Sequence, residues 1–248
     1  MNVEANFGDV IAVMGGLDVF EQGLYGSSEM FINGFLELYR SGILKREVEP
    51  DEIVQRLLNE GKITPLIDKK TLPSLLEAGA VHPNLDQTDV DWLGKFGIFK
   101  ESITYEDGSI RVNPDLRIDA DLTKDGAMDA VVQHCLGDRL KEGIVMHGGF
   151  FLGPRKFYES LQNMDAAERK KFCMTSVMFV NQLYGNPSLA VLQRTDARYF
   201  NTCTMMTMGG AACSDGLENG KVVSGVGGQY NFVAMAHELP GARSILML

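Results

Sequence analysis

The sequence predicts an α/β fold, with an open, largely parallel sheet and helices on both faces. Apolar, strand-like runs alternate with helical patterns through the C-terminal half, which is typical of parallel strands joined by helices. Hydrophobic residues make up 45% and charged residues 23% of the 248 residues, an ordinary composition for a chain that buries a core. This length fits one large domain or two small ones.

The first predicted helix begins close to Glu29. Ser27 and Ser28 are typical N-cap residues, and the apolar residues that follow, up to Tyr39, fall near helical spacing. Gly42 is a natural end for this element. The pattern therefore predicts a turn that leads into a helix whose first turn contains Glu29.

Residues 48–125 are more polar and are predicted to be a helical and hairpin insertion within a single domain of residues 1–248. Short amphipathic segments follow Pro50, Thr71 and Asp89. Two alternating segments flank Asp107-Gly108, which is a hairpin signal.

After Asp125 the chain returns to the strand and helix alternation of an α/β sheet. The segments are a helix over 128–137, a strand over 143–147, a strand, loop and helix over 150–161, β-branched apolar runs at 175–183 and 201–209, a short strand at 222–224 and a last strand at 243–248.

Charge and cysteine spacing exclude several classes of function. The net charge of −10 disfavours nucleic-acid binding, and no apolar run reaches the roughly 20 residues of a membrane-spanning helix. The N-terminus carries an acidic residue where a signal peptide would carry basic ones, so we expect a cytoplasmic protein. The four cysteines form no C-x-x-C pair and the four histidines are scattered. We therefore expect reduced thiols, no metal site and no permanently bound cofactor.

The glycine loop Ser224–Gln229, and within it Gly225, Val226, Gly227, Gly228 and Gln229, is the most suggestive local feature. Glycines let the backbone approach a ligand and direct N–H groups at a phosphate or an oxyanion. The spacing fits neither a dinucleotide-binding motif nor a P-loop, and a plain tight turn between strand and helix explains the pattern equally well.

Two charged sites have structural explanations of their own. Glu29 would be favoured by the positive end of a helix, although its apolar neighbours Met30 and Phe31 would also desolvate and activate a nucleophilic carboxylate. Arg194 and Arg198 flank Asp196 and are typical of an ion-pair cluster at a surface or between domains.

Three segments of the chain resemble the C-terminal domain of the acetyl-CoA hydrolase/transferase family. Gly23–Phe35 is similar to the family segment Ser/Thr-Glu-Met-Phe, and Ser224–Phe232 to the loop Gly-x-Gly-Gly-Gln/Ser-x-Asp-Phe, with Asn231 in place of the usual Asp. His147–Gly153, with the later Val180–Gly185, resembles one subgroup of that family.

This resemblance implies a fold of the CoA-transferase type, with Glu29 as the residue that becomes attached to CoA and the glycine loop facing the thioester. It implies an acyl-CoA:carboxylate CoA-transferase, or alternatively an acetyl-CoA hydrolase, acting on acyl-CoA and a small carboxylate, with coenzyme A as substrate. Glu218-Asn219-Gly220 is similar to the glutamate turn of other CoA-transferases, but the residues around Glu29 match better.

The family's N-terminal α/β domain does not precede Glu29 in this sequence. We therefore expect a homo-oligomer, such as a dimer, or a partner chain that supplies this half of the site. A non-catalytic CoA-binding or assembly domain is the remaining alternative.

Overall fold

The computed structural model of the chain describes residues 2–3 and 23–248. These residues form two compact units. The sheet unit comprises the described residues of Met1–Val48 together with Ile144–Leu248, and the inserted unit is Glu49–Gly143. The N-terminal stretch on which the signal-peptide argument rests lies outside the described residues, apart from Asn2 and Val3.

The strands of the described residues, in chain order, are β1 (Asn2–Val3), β2 (Gly26–Phe31), β3 (Thr104–Glu106), β4 (Ser109–Asn113), β5 (Leu116–Asp119), β6 (Met146–Phe151), β7 (Phe172–Met174), β8 (Arg198–Thr202), β9 (Met205–Met206), β10 (Ala212–Cys213) and β11 (Arg243–Met247). The helices are α1 (Asn33–Arg40), α2 (Glu52–Asn59), α3 (Thr71–Glu77), α4 (Gln87–Lys95), α5 (Ala127–His134), α6 (Arg155–Gln162), α7 (Ala166–Arg169), α8 (Val177–Asn181), α9 (Pro187–Gln193) and α10 (Gln229–Glu238).

The sheet unit is built on a six-stranded sheet in the order β11-β8-β1-β2-β6-β7. Each neighbouring pair in this sheet is parallel. The predicted α/β fold with a largely parallel sheet is therefore confirmed. A short antiparallel pair, β9 and β10, follows β8 in the chain.

Consecutive residues of β8 show that helices cover both faces of this sheet. Side chains alternate between the two faces along a strand, so Tyr199 and Phe200 point in opposite directions. Tyr199 packs with Phe232 and Met235 of α10, whereas Phe200 packs with the core of α1 and α6. Parallel sheets are stable when both faces are buried in this way.

Glu29 lies in strand β2, and the predicted helix begins only at Asn33, so its expected place in a first helical turn is wrong. Strand β2 runs between β1 and β6, with Ser27 opposite His147 and Ser28 opposite Gly148. The two serines are buried by this pairing and do not cap a helix. Pairing with residues far away in the chain therefore overrides the local helix signal.

Two further segments differ from the sequence pattern. The apolar run 175–183 contains helix α8, which the Ser176 hydroxyl caps by accepting a hydrogen bond from the Met178 N–H. Val222 forms an isolated bridge with Gly216, and the short strand predicted at 222–224 does not form.

The inserted unit combines helices α2 to α5 with a three-stranded antiparallel sheet, β3-β4-β5. The predicted hairpin is confirmed: Asp107 and Gly108 both have positive φ, at 43° and 80°, and join β3 to β4. The unit extends beyond the predicted boundary at residue 125, because Val131, Cys135 and Leu140 belong to its hydrophobic core.

Candidate active site

Glu29 projects from β2 on the face of the sheet that α8 and α10 cover. Tyr25 directly precedes β2 and lies four residues before Glu29, and alternation along the extended backbone places the two side chains on one face. The Tyr25 hydroxyl lies 2.7 Å from Nδ1 of His147, whose ring stacks on Phe179 of α8 at 4.7 Å between centroids. Alternation along β2 thus directs Glu29 towards the helices of this face.

Gly149 of β6 lets α8 approach this face closely. A Cβ atom on Gly149 would lie 2.6 Å from a methyl group of Val177 and 2.8 Å from the backbone oxygen of Glu29. Both distances are shorter than real contacts allow, so a residue with a side chain at 149 would push α8 or β2 away. Gly149 therefore makes room for the site.

Two groups meet the carboxylate of Glu29. Nδ2 of Asn181, the last residue of α8, donates a hydrogen bond to Oε1 of Glu29. Gly228 lies so close to the same oxygen that a Cβ atom there would collide with it. Oδ1 of Asn181 is buried and has no hydrogen-bond partner within the described part of the chain.

The glycine loop thus reaches Glu29 through its last glycine. Gly228 is buried and forms the N-cap of α10, so the positive end of this helix lies beside the carboxylate. Gly225, Val226 and Gly227 lie in the exposed part of the loop. Gln229 is buried, and its Oε1 accepts a hydrogen bond from the Ser214 hydroxyl.

Behind the carboxylate, the same face holds a buried, uncharged pair of polar side chains. Burial, together with the nearby positive charge of Arg194, lowers the pKa of His147 to about 4. Burial also raises the pKa of Tyr25. At neutral pH the imidazole and the phenol are therefore both neutral, and their hydrogen bond joins the residue before β2 to β6 without adding charge.

Arg194 does not form the predicted surface ion-pair cluster. Its side chain is buried, and the guanidinium donates to the backbone oxygens of Phe179 at 2.6 Å and Gln182 at 3.2 Å. The local sequence suggested an ion pair because Asp196 lies two residues away, but the fold turns Arg194 towards the end of α8.

Asn181 and His147 are site residues that sequence reasoning did not identify as functional. Both lie within segments that carry the family resemblance, which was the only sign of a role in the sequence. A neutral amide and a lone histidine do not indicate a function by themselves. Glu218, the alternative glutamate, is exposed in a turn in which the Gly220 N–H donates to the Leu217 oxygen.

A separate group of possible metal ligands lies in the inserted unit. His82, Asp86 and Asp89 place one ligand atom each within 4.8 Å of one another. Asp86 and Asp89 form a capping box at the start of α4, and Nδ1 of His82 lies 3.1 Å from Oδ2 of Asp89. These hydrogen bonds account for the group as the N-terminal cap of a helix.

The remaining expectations concern thiols and membranes. All four cysteines are free thiols, as expected from their spacing. Among the helices of the described residues, none combines the length and the apolar character that crossing a bilayer requires.

Comparison with known proteins agrees with the sequence resemblance. Residues 153–248, which include Asn181, Arg194 and the glycine loop, match the family model of the acetyl-CoA hydrolase/transferase C-terminal domain. The chain is 28% identical over 138 residues to the 4-hydroxybutyrate coenzyme A transferase of Clostridium kluyveri; the match covers 54% of this chain and 29% of that protein. It thus spans less than a third of the length of this curated relative. No solved structure matches the chain. These comparisons show that residues 153–248 are similar to the C-terminal domain of the acetyl-CoA hydrolase/transferase family.

Proposed function

We propose that this chain carries the catalytic glutamate of an acyl-CoA:carboxylate CoA-transferase, and that Glu29 is this residue. The observation that supports the proposal most directly is the meeting of three separate segments at one carboxylate. Glu29 comes from β2, Asn181 from α8 and Gly228 from the glycine loop. A carboxylate that has a side-chain donor and a helix N-terminus beside it is suited to covalent catalysis through anionic intermediates.

In the first step, a carboxylate oxygen of Glu29 attacks the carbonyl carbon of the acyl-CoA. A carbon–oxygen bond forms, the carbon–sulfur bond breaks, and the thiolate of CoA leaves with the electron pair. The product is a mixed anhydride between Glu29 and the acyl group. Since Asn181 holds Oε1, the attacking atom is Oε2.

In the second step, the CoA thiolate attacks Cδ of Glu29 and expels the acyl group as a free carboxylate. The product is a glutamyl-CoA thioester. Negative charge develops on Oε1 during this attack, and Nδ2 of Asn181 is already hydrogen-bonded to that oxygen. An incoming carboxylate reverses both steps and leaves as the new acyl-CoA.

The oxygen of the acyl group needs its own donors during the first step. The backbone amides of Gly227 and Gly228 are the proposed donors, because Gly228 adjoins the carboxylate and Gly227 precedes it in the loop. Loss of one such donor typically raises the barrier by about 3 kcal/mol. Gly225, Val226 and Gln229 complete the proposed CoA-binding loop.

Hydrolysis of acyl-CoA is the second candidate function, and the exposure of the glycine loop favours it. Gly225, Val226 and Gly227 are open to solvent, and Glu29 itself is only half-buried. Water that reaches the anhydride or the glutamyl thioester would release CoA and free acid. Addition of acetate or succinate separates the two functions, since a transferase then forms a new thioester and a hydrolase does not.

The proposal is tested by trapping the covalent intermediate. The chain is incubated with acetyl-CoA, treated with borohydride or hydroxylamine, digested and analysed by mass spectrometry. We expect modification of Glu29 in the unaltered chain and none in Glu29→Gln. Glu218→Gln is the matched control, because Glu218 is an exposed glutamate, and this variant should still be modified.

Two outcomes would contradict the proposal. Modification that persists in Glu29→Gln would assign the chemistry to another residue. Binding of CoA without any adduct in the unaltered chain would favour the alternative of a non-catalytic CoA-binding or assembly domain.

A further inference from the structure

Arg194 presents a buried positive charge that the proposed chemistry does not use. Its residue surface is 4% exposed, and it follows directly on helix α9. Within the part of the chain that the structure describes, its guanidinium pairs with no carboxylate. Burial of an unpaired cation is costly, so the hydrogen bonds that the guanidinium makes must compensate.

These hydrogen bonds bracket Asn181. Nη2 donates to the backbone oxygen of Phe179 at 2.6 Å, and Nη1 donates to that of Gln182 at 3.2 Å. The two acceptors lie on either side of Asn181, at the end of α8. The last carbonyl groups of a helix have no partners within the helix and form its negative end, which a cation stabilises.

Helix α8 depends on such external support because it has only five residues. A helix of this length is unstable on its own, so tertiary contacts hold it in place. Its Phe179 ring stacks on His147, and Cζ of Arg194 lies 5.9 Å from the centre of the same ring. Phe179 thus contacts the imidazole of His147 and the guanidinium together.

The guanidinium also contacts α10. Nη1 of Arg194 lies 3.0 Å from Sδ of Met235, a buried residue of that helix. Helix α10 begins next to Gly228, and α8 ends at Asn181. One side chain therefore touches both helices whose ends meet the carboxylate of Glu29.

We propose that Arg194 is a positioning residue, which holds the end of α8 so that Nδ2 of Asn181 stays at Oε1 of Glu29. Within the described residues no hydrogen bond or ion pair joins Arg194 to Glu29, so Arg194 acts through Asn181. Its planar fork reaches two carbonyl oxygens from one rigid group, whereas the ammonium of lysine is a single point charge. The expected effect on chemistry rests on the proposed function of Glu29; the expected effect on α8 does not.

The first test measures the position of α8 without reference to catalysis. Amide hydrogen exchange of residues 177–183 is compared in the unaltered chain, Arg194→Met and Arg194→Lys. We expect faster exchange in α8 for both variants, with Lys intermediate, while strands β2 and β6 stay protected. Arg155→Met is the matched control, since the Arg155 side chain is 93% exposed. Unchanged exchange in α8 would overturn the proposal. If Arg194→Met does not fold, the Lys variant, which keeps the charge, decides the question.

The second test is a double-mutant cycle on the rate at which Glu29 becomes modified by acetyl-CoA. Arg194→Met alone should slow modification about 10- to 100-fold, because a small displacement of a catalytic group is enough for such a loss. In an Asn181→Ala background the same substitution should change the rate by no more than about twofold, since its effect passes through the missing amide.

The two tests fail separately. Equal losses in both backgrounds would show that Arg194 acts on general stability and not through Asn181, which contradicts the inference. Absence of any adduct in the unaltered chain would contradict the proposed function, and the exchange experiment would still decide whether Arg194 positions α8.

Discussion

At Glu29, one carboxylate has neighbours of different kinds: a side-chain amide and the backbone at a helix N-terminus. Asn181 binds Oε1 through a directional hydrogen bond, and Gly228 leaves room for that oxygen because it has no side chain. The positive end of α10 favours negative charge at this point. Asn181 therefore orients the carboxylate, the missing side chain of Gly228 leaves space for it, and the N-terminus of α10 favours its charge.

Gly228→Ala tests the requirement for space. The added Cβ would collide with Oε1 of Glu29 and displace it from Asn181, so we expect modification by acetyl-CoA to slow by about 100-fold or more. The measurement is the rate of adduct formation by mass spectrometry. Gly94→Ala is the control, because a Cβ there meets no atom within 4 Å. Modification of Gly228→Ala at the unaltered rate would contradict the geometry.

His147 should make the stability of the sheet unit depend on pH. Its folded-state pKa is about 4, below its ordinary value of 6.5, so the unfolded chain binds more protons between these two values. The contribution of neutral His147 to the free energy of unfolding is therefore fully present above pH 6.5. It is lost as the pH drops towards 4, and the free energy of unfolding falls by up to about 3 kcal/mol. Denaturant unfolding at several pH values measures this loss.

The variant His147→Gln should lose this part of the pH dependence. His237→Gln, which changes an exposed histidine of α10, is the control and should keep it. Equal pH dependence in the unaltered chain and in His147→Gln would show that His147 is not the source.

At the scale of single elements, the sequence predicts a helix or strand correctly when the residues that stabilise it lie within or next to it. Helix α2 has its own start signal in Asp51, and the β3–β4 hairpin has its own turn in Asp107-Gly108, so both are predicted correctly. Strand β2 and helix α8 are held mainly by distant residues of β6 and Arg194. Their local patterns were misleading because the contacts that stabilise them are absent from the local sequence.

Asp51→Ala should destabilise the inserted unit by about 1 kcal/mol, the usual value of a helix cap. The Asp51 carboxylate accepts hydrogen bonds from the N–H groups of Ile53 at 2.9 Å and Val54 at 3.0 Å, which would otherwise lack partners. Thermal or denaturant unfolding measures the loss. Asp115→Ala, at an exposed aspartate, should change stability by less than about 0.5 kcal/mol. A similar loss in both variants would argue against capping.

At the scale of the whole molecule, the chain forms two units with separate hydrophobic cores. The core of the inserted unit includes Leu72, Leu75, Leu93 and Val131. The sheet unit resumes where it was interrupted: the backbone groups of Val48 and Ile144 exchange two hydrogen bonds, at 2.9 and 3.0 Å. The residues that flank the inserted unit are thus hydrogen-bonded to each other within the sheet unit.

Residues 49–143 expressed alone should fold. A separate core and intact caps on α2 and α4 predict a single cooperative unfolding transition, observable by circular dichroism and by calorimetry. Leu75→Ala, which empties a fully buried position, should lower its stability by about 2–5 kcal/mol. A non-cooperative transition of the isolated segment would contradict the division into units.

Much of the candidate site could be expected from the sequence, because the glutamate, the glycines and the alternation of elements are visible locally along the chain. The glycine loop indicated close backbone approach, and the resemblance around Glu29 indicated a nucleophile. Neither observation predicts that Glu29 and the glycine loop lie next to each other, because most of the chain separates them. They meet only through the parallel pairing of β2 and β6 and the packing of α10.

The α/β class follows from composition and periodicity, which act locally and are legible along the chain. The strand that holds Glu29, the buried state of Arg194 and the placement of Asn181 at Oε1 follow from packing between distant segments. The burial and hydrogen bonding of such groups depend on neighbours that the fold supplies. The sequence around Asn181 or Arg194 does not indicate which residues those neighbours are.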